Sequence, residues 1–388
     1  MNAHGARRLP RTLHPIAWWV WAIALATAVS RTTNPLLLVV ALAVLGLVVA
    51  NRRVDAPWSR AFRYYLGAAL IVVAIRVVFR SVFASGVTPE DHILFRLPQV
   101  PLPHWYTGVH LGGPVSLEAT LSAATDGLRL GTMLCCIGAA NALANPKRAL
   151  RVLPGALYEA GVAVTVAISV APQLIDSIQR VRRARRLRPG ASKGLRAIAS
   201  IVIPVLEDAL DRSLMLARAM DGRGYGRHGT ATAETRRAAG ALMLLGLLGL
   251  CAGAYGLLDG TAPRTLGAPA ISVGVAASLA GLALGSRRVT RTAYRPDPWL
   301  APEWIVAGAG IVAALLLYVT VGYDAADLNP SYYPLHWPAF PLLPALAILL
   351  AALPAVASPP PPGPRPGQRA PDVAAPSATP ETRLPVPA

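Results

Sequence analysis

Pro35-Leu36-Leu37-Leu38-Val39-Val40-Ala41-Leu42-Ala43-Val44-Leu45-Gly46-Leu47-Val48-Val49-Ala50 is followed at once by Asn51-Arg52-Arg53. No charge interrupts 35–50, and guanidinium groups stop the run at one end. An apolar helix of this length approaches the roughly 20 residues that cross a bilayer. Arginines at its end mark the cytoplasmic side under the positive-inside rule. Similar runs recur along the 388-residue chain, which is 54% hydrophobic and 14% charged, with a mean hydropathy of +0.46. Soluble domains carry about 25% charged residues. A transmembrane barrel needs alternating strands of about ten residues, and these runs are continuous. The expected fold is therefore an all-α polytopic membrane protein.

Outward from 35–50, the expected spans are 15–30, 35–50, 62–83, 119–144, 238–259, 267–285, 302–322 and 338–357, about eight transmembrane helices. Arg31-Thr32-Thr33-Asn34-Pro35 is a turn, with Asn-Pro as breaker. Arg52, Arg53, Arg60 and Arg63 place the next loop inside. The long 84–118 loop has few basic residues and falls outside. Asn145-Pro146-Lys147-Arg148 is inside again, as are Arg287, Arg288, Arg291 and Arg295. Residues 152–176 are apolar enough to span, but crossing there would put the arginines of 180–196 outside. The expectation is a helix packed against the bundle, or dipping into the membrane, without crossing. Both termini are expected to be cytoplasmic, in a cell-membrane protein of four segments: 1–145, 146–237, 238–357 and a disordered Pro-rich tail, 358–388. Arg7, Arg8 and Arg11 precede the first apolar run, but no convincing small-residue cleavage site follows, which points to a retained first span.

The net charge of +18 follows the loops rather than a nucleic-acid face, so no nucleic-acid partner is expected; the lipid bilayer is. Cys135, Cys136 and Cys251 lie in apolar runs without metal-ligand or disulfide spacing. The seven histidines are scattered, H-E-x-x-H is absent, and no metal or other cofactor is expected. There is no G-x-x-x-x-G-K-[ST] phosphate loop, so any ATP hydrolysis must come from another chain.

The basic segment, 177–237, carries two motifs. Arg182-Arg183-Ala184-Arg185-Arg186-Leu187-Arg188-Pro189 closes a helix expected to start at Pro172, with Leu174, Ile178, Val181 and Ala184 on one stripe. Arg188 continues that phase, and Pro189-Gly190 ends the helix. A second helix is expected from Pro204 to about Met220, with Leu206, Leu210, Leu214 and Ala217 on its apolar face and Asp208 and Arg212 paired at i, i+4. Gly222-Arg223-Gly224 would stop it, leaving a sterically free guanidinium able to make several bonds to carboxylates or carbonyls. These helices suit a docking partner, or an interfacial position against anionic lipid heads.

With Ala219-Met220-Asp221-Gly222-Arg223-Gly224-Tyr225 and Pro204 between the motifs, the chain resembles the transmembrane T component of energy-coupling factor (ECF) transporters, ABC-type uptake machines for vitamins and transition-metal ions. That family's scaffold carries two coupling helices ending in short motifs around an arginine, commonly Ala-Arg-Gly. Gly222 stands where alanine is usual. Leu187-Arg188-Pro189 aligns with the first motif, and Ala184-Arg185-Arg186 is a competing register. The resemblance covers roughly residues 10–260. It implies a non-catalytic subunit whose Arg188 and Arg223 sit in grooves on two cytoplasmic ATPase subunits, beside a substrate-binding S component in the membrane.

Arg76, Asp126 and Arg129 are ionisable groups at membrane depth. They are expected to form an internal ion pair between the third and fourth spans, or a grip on the S component. The alternatives are a self-sufficient secondary transporter, for which no internal repeat is visible, and a membrane transferase, for which acidic or His clusters are missing.

Overall fold

The computed structural model describes residues 11–54, 61–83, 91–100, 111–152, 157–187, 195–224, 232–258, 264–286, 297–321, 325–333 and 335–361. They form two compact units, one of 1–146 with 297–388, the other of 147–296.

The first unit holds α1 (Pro15–Val29), α2 (Pro35–Arg52), α3 (Ala61–Val82), strands β1 (Ile93–Val100) and β2 (Leu111–Ser116), and α4 (Leu117–Leu143). The short α5 (Pro146–Arg151) begins at the boundary between the units, and α10 (Ala301–Val321), α11 (Ala325–Leu328), α12 (Leu342–Leu350) and α13 (Pro354–Ala357) return to the first. Its core is the buried side of α1 and α2, where Trp21, Leu25, Leu37, Leu38, Leu45 and Val48 are fully buried with Leu317 and Ile348 of the C-terminal helices. Glycines let backbones approach where a side chain would collide. A β-carbon at Gly310 would lie 2.8 Å from Trp21 Cα, and one at Gly131 2.9 Å from Ala69 Cβ. Small residues at such seams are how membrane helices gain van der Waals contact without a hydrophobic drive between them.

Asn34 ties this unit together. Its side chain accepts from the Leu36 N–H at 3.0 Å, capping α2 with Pro35 in the first turn. Its amide donates to the Asp327 and Ala339 carbonyls at 2.8 Å each. At the other end the Arg11 N–H donates to the Pro360 carbonyl at 3.2 Å, and Arg52 donates to the carbonyls of Pro354 and Ala355. The first and last described segments therefore lie at the same end of this unit.

The second unit holds α6 (Tyr158–Arg186), α7 (Leu195–Gly222), α8 (Ala233–Leu258) and α9 (Arg264–Ser286). α8 and α9 meet along a glycine seam: a β-carbon at Gly274 would lie 2.6 Å from the Leu250 nitrogen, and one at Gly253 2.5 Å from Ile271 Cγ1.

Several expectations change. The segments expected to begin at Pro172 and Pro204 are longer helices with those prolines inside. Each proline removes one N–H from the ladder, but helix-compatible residues flank it on both sides. The 84–118 loop contains an antiparallel hairpin with Ile93 opposite Ser116 and Phe95 opposite Val115. Gly112 and Gly113 take φ of 79° and 129°, which side chains resist. Among the described residues six helices are long and apolar enough to cross a membrane: α2, α3, α8, α10, and the stretches 160–185 of α6 and 267–286 of α9. Pro15–Val29 and Leu342–Ala357 are shorter apolar segments. The stretch of α6 overlaps residues 152–176, which the sequence also showed to be apolar enough to span. The 238–357 group falls into both units, α8 and α9 in one and α10 to α13 in the other. Of the expected disordered tail, 362–388 lie outside the described residues.

Candidate functional site

α6 and α7 lie against one another through a polar lock. The Ser177 hydroxyl donates to Asp208 Oδ2 at 2.7 Å, and Arg212 binds the same carboxylate from one turn along α7, its Nε 3.0 Å from Oδ1 and its Nη2 3.0 Å from Oδ2. Arg212 also reaches Gln173 Oε1 at 3.5 Å. Ser177 is buried. The Ser177 hydroxyl, then Arg212, hold the Asp208 carboxyl below its ordinary value of 3.8.

The lock decides which side of α7 faces α6. Asp208 and Arg212 take the inner side, so Leu206, Leu210 and Leu214, the apolar face legible in the sequence, are each more than half exposed. A stripe of leucines left open beside a satisfied polar contact is a surface suited to a partner or to lipid.

At its far end α7 closes with two tight bonds, Arg223 N–H to the Met220 carbonyl at 3.1 Å and Gly224 N–H to the Asp221 carbonyl at 2.9 Å. Gly224 takes φ 73°, the left-handed conformation that ends helices and favours glycine. A β-carbon at Gly222 would meet nothing within 4 Å, so alanine fits there as well as glycine. Arg223 is exposed, between these glycines at the negative end of the helix dipole.

The first motif sits at the end of α6. Ala184, Arg185 and Arg186 form its last turn, and Leu187 is 85% exposed just beyond it. Arg188 and Pro189 lie outside the described residues.

The membrane-depth trio is not joined by ion pairs: among the described residues none links Arg76, Asp126 and Arg129. Arg129 donates to the Ser30 carbonyl of α1 instead. Asp126 lies near Tyr332, whose phenol is raised above its ordinary 10.0 by burial first and by this carboxylate as well. Arg76 emerges exposed at the α3–α4 seam, beside Gly127.

A polar centre that the sequence reading missed lies at the start of α10. Glu303 is fully buried. It is paired with Arg11, and it accepts from the N–H groups of His14 at 3.3 Å and Leu300 at 3.1 Å. An acid in the first turn of an otherwise apolar helix was the available signal; its partner, 292 positions away, was not legible. The described residues contain no cluster of three or more His, Cys, Asp or Glu able to hold a metal.

A protein-family model described as CbiQ, cobalt transport protein, matches residues 6–232. The match spans more than half of the chain and ends between the Arg223 turn and α8. No curated protein matches the chain significantly.

Proposed function

The chain belongs to the CbiQ cobalt transport protein family, the family of ECF T components, and on that premise we propose that it is the membrane scaffold coupling cytoplasmic ATPases to substrate uptake. It is a multi-pass membrane protein of a transport family. In the proposed assembly two ABC-type ATPase subunits receive the ends of α6 and α7, and an S component in the membrane captures the substrate, a vitamin or a transition-metal ion such as cobalt.

The observation that carries this reading is Arg223, held exposed between Gly222 and left-handed Gly224 at the end of a helix whose leucine face is also open. A guanidinium keeps its charge and presents a rigid fork of donors, so it can transmit a push or pull between rigid bodies. Arg188, with Leu187 and Pro189, takes the equivalent role at the end of α6, with Ala184-Arg185-Arg186 as the competing register. Both N- and C-terminal segments are cytoplasmic in this proposal. The bond between Arg11 and Pro360, and Arg52 beside α13, support it by putting basic residues and both segments at one end.

The test is a detergent pull-down of tagged wild type beside an Arg188→Glu, Arg223→Glu double variant. Copurifying ATPase subunits with wild type, lost in the double variant, are the expected result. Equal behaviour with no ATPase would sink the coupling role and favour a self-sufficient permease.

A further inference from the structure

An apolar recess runs between α1 and α4 in the first unit. Its walls include Trp19, Ile23, Ala26 and Ser30 on α1 and Met133 and Ile137 on α4, and its volume is about 220 Å3. The two α1 hydroxyls in the wall, Thr27 and Ser30, donate to α1's own carbonyls, at Ile23 and Thr27. They leave the trough without a free hydroxyl proton.

Arg129 precedes Met133 and Ile137 by one and two turns of α4, so the three share a face. Its bond to the Ser30 carbonyl fixes the guanidinium over the Ser30 end of the trough. A guanidinium has five N–H donors, and among the described residues this is the bond Arg129 makes. Arg31, next to Ser30, stacks its guanidinium 5.4 Å from the Tyr318 ring centroid. Asp126, on the preceding turn of α4, is not ion-paired with Arg129.

The dimensions choose the occupant. From Trp19 to Ser30, α1 rises about 16 Å, half of the roughly 30 Å hydrocarbon core. That length is the reach of one leaflet's acyl chains, and the recess is walled mostly by apolar side chains along it.

We propose that this recess binds a phospholipid of the leaflet at the Ser30 end, one acyl chain lying between α1 and α4 and the phosphate on Arg129. Arg129 has no ion-paired carboxylate among the described residues, so a net-anionic head such as phosphatidylglycerol, which brings no cation of its own, binds better than a zwitterionic one. The lipid wedges α1 against α4 and holds the Ser30 turn through the same arginine that reads its phosphate.

The test is native mass spectrometry of the full chain released from detergent, after incubation with phosphatidylglycerol or phosphatidylcholine of matched chains. Wild type should retain phosphatidylglycerol about tenfold more than phosphatidylcholine, the equivalent of one charge-assisted contact. Arg129→Gln should lower retention of both lipids and remove the preference for phosphatidylglycerol. Ala26→Trp, which fills the trough, should lower both. Arg129→Lys keeps the charge and should keep part of the preference. If Arg129→Gln does not fold, as judged by its circular dichroism melt, the other two variants decide. Unchanged retention in Ala26→Trp, no preference between lipids in wild type, or loss of preference in Arg129→Lys equal to that of a neutral side chain would overturn the proposal.

Discussion

Asp208 gathers Ser177 and Arg212 onto one carboxylate and thereby sets the pairing of two helices. Its folded pKa lies below the ordinary 3.8, so the ionised form is the one the fold prefers. The lock's contribution is therefore complete above that ordinary value and is lost as pH falls through the lower folded value. Spin labels placed on α6 and α7 should report an unchanged separation from neutral pH down to about 4 and a broadening below it. Asp208→Asn should broaden the distribution already at neutral pH; an unaltered distribution would show that the apolar contacts suffice. The i, i+4 pair with Arg212 was legible from spacing. Ser177 was not, because its position 31 residues away depends on how the two helices meet.

Between helices, the seams are written in glycine. At the α8–α9 seam a β-carbon on Gly274 would collide with backbone at Leu250, while one on Gly240 would meet nothing within 4 Å. Gly274→Val should therefore destabilise the hairpin by about 1–3 kcal/mol, the usual cost of overpacking. Gly240→Ala should be neutral or slightly stabilising. Melting in detergent followed by circular dichroism separates the two, and equal midpoints would contradict the seam. At the end of α7 the same residue type works in two ways. Gly222 has open space and tolerates the family's alanine, whereas Gly224 holds a left-handed turn that a side chain would strain.

For the whole molecule, the first unit is assembled from both ends of the chain. α10 packs on α1, Trp21 Nε1 donates to the Ala351 carbonyl at 3.0 Å, and Glu303 joins Arg11 across 292 positions. A protease site inserted within 287–296 should leave the C-terminal fragment bound to the N-terminal one through purification. Glu303→Leu in the cleaved protein leaves Arg11 without its carboxylate. It should weaken the association of the fragments and lower the melting midpoint of their complex, since the pair and the bonds from the His14 and Leu300 N–H groups are lost together. Free separation of the wild-type fragments would refute the shared core. The family match ends at residue 232, yet α10 to α13 complete this core, so they are part of the unit that α1 and α2 build.

The amino-acid sequence by itself determined that the chain is a helical membrane protein, where most apolar segments begin and end, and that Gly222-Arg223-Gly224 closes a helix. Those features are local: length of an apolar run, capping residues and helical phase act within a few turns. It misplaced the starts of α6 and α7, since a proline reads as a start signal and only the continuous ladder on both sides shows that it is interior. It left the 84–118 segment as a loop, because the pairing of β1 with β2 depends on a register rather than on composition. It joined Arg76, Asp126 and Arg129 by charge alone. In the tertiary structure no ion pair joins them among the described residues: Arg129 donates to the Ser30 carbonyl and Arg76 is exposed at the α3–α4 seam. The buried Glu303 with Arg11 and the trough beneath Arg129 were likewise decided by the tertiary structure, for each is made by residues distant in sequence whose meeting depends on how the helices pack.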